Sequence, residues 1–187
     1  MKKFSVLLVS MIFSLVLIYP QSHELSLKDL CSLSSDIIIA KPVSYFTFQS
    51  KDTRHIYTKI KFEVSEKIKG RFDKEDTFEM TVYGGTYNGI SKIVVDAPTY
   101  MIEEESILFL SENKSKEPLR IFLTVTGGVQ GKYNIYVDEK DGLKKVLREQ
   151  ALIQLPNEES NRCAKINPNQ QSTLNEILNQ IKKEMEE

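Results

Sequence analysis

Residues 54 to 70, RHIYTKIKFEVSEKIKG, constrain the fold more than any other stretch of the chain. Ile56, Thr58, Ile60, Phe62 and Val64 alternate with His55, Tyr57, Lys59, Lys61 and Glu63. A period of two is the signature of a strand with one buried and one wetted face, because successive side chains leave the backbone on opposite sides. The glycine at position 70 stops the pattern. A long strand of this kind needs neighbours, so the rest of the chain is read for them.

They are present. DIIIAKPV, residues 36 to 43, is an apolar, β-branched run that reads as a buried strand ended by Pro42, with Tyr45, Phe46 and Phe48 following it. TFEMTVY, ILFL, LRIFLTV and KYNIYV supply further short strands, and EKDG reads as a hairpin loop leading into LKKVL. No helical pattern interrupts this series, which points to a mainly β meander or barrel in place of a βαβ array. A short helix is expected after Ser26, with Asp29 closing its cap and Leu27, Leu30 and Cys31 on one face. A C-terminal amphipathic helix is expected from Leu174, Ile177, Leu178, Ile181 and Met185, with Thr173 and Glu176 as a capping box.

The chain opens with Met1, Lys2 and Lys3, followed by an apolar or small run from Phe4 to Tyr19. That layout is a secretory signal, and the run falls short of the ~20 apolar residues that a spanning helix needs. Residues 1–22 are therefore expected to be removed, 23–150 to form the β domain, and 151–187 to form a linker and the C-terminal helix. Loss of Lys2 and Lys3 leaves 23 basic against 26 acidic side chains. Such a balance has no electrostatic footprint for nucleic acid. No stable membrane span is expected after cleavage, and the expected location is secreted or periplasmic.

Candidate chemistry is sparse. Cys31 and Cys163 form an even pair, and in an oxidising compartment either a disulfide or two unpaired thiols is open. A nucleophilic cysteine working with His55 would make a secreted hydrolase, although only Arg162 lies near either thiol to stabilise a thiolate. Cys31, His55 and Cys163 lack the short spacing of a metal site, so neither metal nor cofactor is expected. Glu103, Glu104 and Glu105 read as a solvated turn ahead of a buried strand, since Ca²⁺ loops spread their ligands over alternate positions. Gly84, Gly85, Gly127, Gly128 and Gly131 read as structural, because no helix opens after either cluster to receive a phosphate. Lys59, Lys61, Lys67 and Lys69 with Tyr57, Tyr83 and Tyr87 read as a solvated outer strand face, in preference to a stacking platform for single strands.

In series, LCSLSSDIIIAKPVSY, YTKIKFEVSEKIKG, a GG pair, DAPTYMIEEESILFL and VTGGVQGKYNI resemble a group of small secreted bacterial domains of uncharacterised function. Their pattern is similar to the netrin-like OB barrel of the tissue inhibitors of metalloproteinases. The resemblance covers residues 25 to 137 and implies a closed OB-like barrel with flanking helices, whose long strand bends across both halves. Inhibition by a first-position cysteine is not implied, because residues from His23 onward precede Cys31. The expectation is a non-catalytic binding module for a protein or envelope component, with a hydrolase or a protease-inhibitor-like protein as the alternatives.

Overall fold

The computed structural model describes residues 24–94, 97–114, 121–149 and 172–186. The expected signal, the linker and Cys163 lie outside the described residues. In chain order the elements are α1 (Leu27–Leu33), β1 (Asp36–Gln49), β2 (Ile56–Lys69), β3 (Thr77–Tyr83), β4 (Gly85–Tyr87), β5 (Ile90–Lys92), β6 (Ser106–Lys114), β7 (Ile121–Val125), β8 (Lys132–Val137), β9 (Lys144–Arg148), β10 (Ser172–Thr173) and α2 (Leu174–Glu186). The protein is mainly β with two helices, as the strand periodicity requires.

One antiparallel sheet runs in the order β10, β9, β8, β6, β1, β2, β3, with β7 paired to β6, and β4 and β5 form a separate hairpin. The edge of β6 away from β1 is shared: Ser106 to Leu108 pair with β8, and Leu110 to Lys114 pair with β7. Among the described residues β3 pairs only with β2, and β7 only with β6, so no ladder closes the sheet into the expected barrel.

The sheet has apolar packing on both sides, which is why β1 and β6 carry unbroken apolar runs. Ile37, Ile39, Ile107 and Phe109 face a core shared with Leu30 and Cys31 of α1 and with Ile177 and Ile181 of α2. Ile38, Ala40, Leu108 and Leu110 face the other core, with Ile60, Phe62, Val64, Phe78, Met80 and Val125. Full burial of each such side chain contributes about 1.5–3 kcal/mol. The apolar stripe of the C-terminal helix is thus used against the sheet and α1. Both expected caps form: Ser26 and Asp29 cap α1 reciprocally, and Thr173 and Glu176 cap α2.

Pro42 does not end β1. The ladder with β6 stops at Ala40, the ladder with β2 continues to Gln49, and a register irregularity lies between Pro42 and Ser44. From Lys41 onward β1 has β2 on one edge and no strand on the other among the described residues. A proline without an N–H is tolerated at such an edge, where no ladder bond is lost.

The KGR segment after β2 locks this strand to α1. Lys69 Nζ donates 2.8 Å bonds to the carbonyls of Cys31 and Ser34, which satisfies carbonyls at the C-terminal end of the helix. Gly70, at φ +99°, lets the chain pass over buried Asp36, and the Arg71 amide donates to Asp36 Oδ1 at 2.8 Å.

Candidate functional site

Cys31 and His55 stand at opposite ends of β2. Cys31 is on the buried face of α1, beside Lys69 at the end of the strand, whereas His55 is exposed just before its start at Ile56. Roughly 45 Å of strand contour separates those ends. Burial raises the Cys31 thiol above its ordinary value, with the nearby Lys69 ammonium acting against it. A raised pKa in an apolar core describes an inert thiol. The expected strand position of His55 is corrected: it closes the β1–β2 turn, where the Ser50 amide donates to its carbonyl.

Two of the three glutamates of the turn, Glu103 and Glu105, are ion-paired. Lys41 Nζ lies 2.6 Å from Glu103 and 3.8 Å from Glu63, and Lys144 Nζ lies 2.9 Å from Glu105. Lys41, Glu63, Glu103 and Glu105, with Ser65, Lys74 and Glu75, line an open cleft of about 600 Å³. The hydrogen bond from Lys144, with a further one from Ser65, holds the Glu105 carboxyl below the usual range. No group of three His, Cys, Asp or Glu side chains suited to a metal ion occurs among the described residues.

The glycines sit at close approaches and turns. Gly84 and Gly85 join β3 to β4, and a Cβ on Gly85 would meet Thr58 Oγ1 at 2.2 Å. Gly127, Gly128 and Gly131 shape the 3₁₀ turn between β7 and β8. Three of the four outer lysines have acidic or carbonyl partners: Lys59 with Glu79 at 3.1 Å, Lys67 with Asp73 at 2.8 Å, and Lys69 with α1.

A buried polar cluster went unread in the sequence. Lys132, 5 % exposed, contacts Glu149 at 2.8 Å and donates to Asn134 at 2.6 Å, while Glu149 also accepts from the Thr99 amide and hydroxyl. It ties the loop before β6 to β8 and β9. Tyr100, packed on Phe62, carries a buried hydroxyl whose pKa burial pushes upward.

The surface feature that stands apart is aromatic. Directly opposed residues of an antiparallel pair share a face. Phe48 lies opposite Tyr57, and Tyr57 opposite Tyr83, so β1, β2 and β3 carry one line of rings on one face. Phe46 and Phe48 stack at 6.1 Å, Phe48 and Tyr57 at 5.9 Å, and Tyr57 meets Tyr83 edge-on at 5.5 Å. His55 packs edge-on against Tyr83 at 5.3 Å. Each such pair contributes about 0.5–1.5 kcal/mol beyond area burial. Phe46 remains 65 % exposed and Tyr83 37 %. The ladder was half legible: Tyr57 and Tyr83 fall on the outer face by period two, but Phe46 and Phe48 join them only because β1 runs on past Pro42.

Comparison of the chain with family models, curated proteins and solved structures finds no match.

Proposed function

We propose that this chain is an exported, non-catalytic binding module of the cell envelope or extracellular space, which docks a protein or envelope component on the aromatic ladder of Phe46, Phe48, Tyr57, Tyr83 and His55. The ladder is the observation that carries this reading: clustered, partly exposed aromatic rings on a strand face are costly to leave in water and mark interaction surfaces. Among the described residues no convergent polar constellation surrounds Cys31 or His55, which favours binding over hydrolysis. The amino-terminal layout of basic residues and an apolar run supports export.

The finer fold assignment is likewise ours. β1, β2, β3, β6 and β7 are taken as an OB-like, netrin-like barrel left open between β3 and β7. Phe78 and Met80 of β3 and Val125 of β7 lie in one core across that gap, which supports it.

The test is capture from envelope extract by the secreted form, run beside a Phe46→Ser/Tyr83→Ser variant of unchanged circular dichroism. A component retained by the parent and lost by the variant is the expected result. Equal capture by both would remove the ladder from the reading. Activity in a hydrolase screen that His55→Ala abolished would replace binding with catalysis.

A further inference from the structure

We infer that the open edge of β1, residues Val43 to Gln49, pairs antiparallel with the same edge of a second copy of this chain. Three observations converge on it. First, the edge is unpaired among the described residues: beyond Ala40 β1 has lost β6, and along the side away from β2 the Pro42 carbonyl alone takes a backbone bond from a described residue, Glu103. Unpaired strand groups are a template for another strand. Second, VSYFTFQ contains no charged residue, and Pro42 stands just before it. Natural edges are guarded by lysines, inward charges, prolines, bulges or short length; here the proline and the bulge lie at the start of the segment, between Pro42 and Ser44, and Ser44 to Gln49 carry no such guard. Two copies can therefore lie side by side without like charges facing each other.

Third, the aromatic ladder runs across the sheet towards this edge and stops there. It passes from Tyr83 on β3 to Tyr57 on β2 and to Phe48 and Phe46 on β1, with Phe46 the most exposed of the four. A two-fold axis perpendicular to the sheet keeps each residue on its own face, so a second copy places its Phe46 and Phe48 on the face that carries the first copy's rings. The row then continues across the junction, and the interface is isologous. No peptide of unrelated sequence is required to satisfy the edge, because the segment is complementary to itself. A seven-residue edge covers less than the ~1,600 Å² of a standard interface, so the dimer is concentration-dependent.

The inference does not depend on the ladder binding a partner, and the variants separate the two. Tyr45 points to the face opposite the ladder, since it pairs with Ile60 while Phe46 pairs with Lys59, and both Tyr45 and Phe46 are exposed. Sedimentation of the secreted form over micromolar to millimolar concentration should show a monomer–dimer equilibrium. Tyr45→Lys and Phe46→Lys should each weaken it at least tenfold, and Tyr83→Ser, far from the edge, should leave it unchanged. Hydrogen exchange should protect those amides between Val43 and Gln49 that face away from β2 as concentration rises. A parent that stays monomeric throughout overturns the proposal. So does a dimer indifferent to both lysines, or one whose protection falls elsewhere.

Discussion

A Cβ on Gly70 would lie 2.3 Å from Oδ1 of Asp36 and 2.8 Å from its Cα. The carboxylate at the start of β1 and the residue that ends β2 therefore occupy adjoining space, and only glycine fits. Asp36 is itself buried, accepts from Ser35 Oγ and the Arg71 amide, and lies 3.7 Å from the Arg71 guanidinium. Arg71 reaches on to Glu112 and covers the Phe72 ring.

Gly70→Ala is accordingly expected to destabilise the fold by about 2–4 kcal/mol, from strain at positive φ together with the collision. Arg71→Ala leaves the backbone and Ser35 bonds to Asp36 in place and removes a half-exposed guanidinium that stands 3.7 Å from the buried carboxylate, so it should cost less, about 1 kcal/mol. Urea midpoints of the two variants decide it. A Gly70→Ala chain as stable as its parent would mean that the strand end moves freely.

The buried pair of Lys132 and Glu149 gives a second expectation. Lys132→Met leaves Glu149 with only its Thr99 bonds and an uncompensated charge, which should cost about 3–5 kcal/mol. Lys132→Met/Glu149→Gln removes the charge while keeping an acceptor for Thr99, and should be more stable than the single variant. Denaturant unfolding of these two chains and of Glu149→Gln tests the coupling. Strictly additive losses would show that the two side chains do not depend on each other.

What could be read from residue order alone follows physical lines. Period two in β2, and the unbroken Ile37, Ile38 and Ile39, report burial directly, so the strands and the mainly β class were legible. Ser26 with Asp29 and Thr173 with Glu176 announced both helix starts, because capping is local chemistry. Pro42 misled, since its effect depends on whether the neighbouring strand is present, and that is a property of the sheet. The β4–β5 hairpin was missed because Ile90 and its neighbours are exposed and carry no burial signal. Lys132 reads as a surface residue by composition, and only the fold brings Glu149 to it. The ladder and the open edge share this origin, arising from strand length and register beyond the reach of local pattern.

Acid should weaken the fold through its paired carboxylates. Lys144, with help from Ser65, lowers the Glu105 pKa; Lys145, with the Lys140 amide, lowers that of Asp138; and the Leu143 amide, followed by Lys145, lowers that of Asp141. A carboxyl with a folded pKa below its unfolded one binds more protons when unfolded. Its stabilisation is therefore complete above the ordinary value, ~4.3 for Glu and ~3.9 for Asp, and is lost as pH falls through the depressed folded value. The urea midpoint should hold steady from neutrality to about those values and decline below them. Lys144→Met and Lys145→Met should each flatten that decline. An acid limb identical in parent and variants would locate the titrating groups elsewhere.

Cys31 gives the last expectation. Its thiol lies in the core between α1, α2 and the sheet, and burial outweighs the Lys69 charge in raising its pKa. Both access and thiolate fraction are thus reduced, and each slows alkylation. In a reduced Cys163→Ser chain, which leaves one thiol, native Cys31 should react with iodoacetamide at least tenfold more slowly than after unfolding in urea at the same pH. The parent chain answers the pairing question in parallel. Unfolded without reductant, it yields two alkylated cysteines by mass spectrometry if both thiols are free, and none if Cys31 and Cys163 are bonded. Equal rates before and after unfolding in the single-thiol chain would mean that the helix over Cys31 opens readily, and the core described on that face of the sheet would then be wrong.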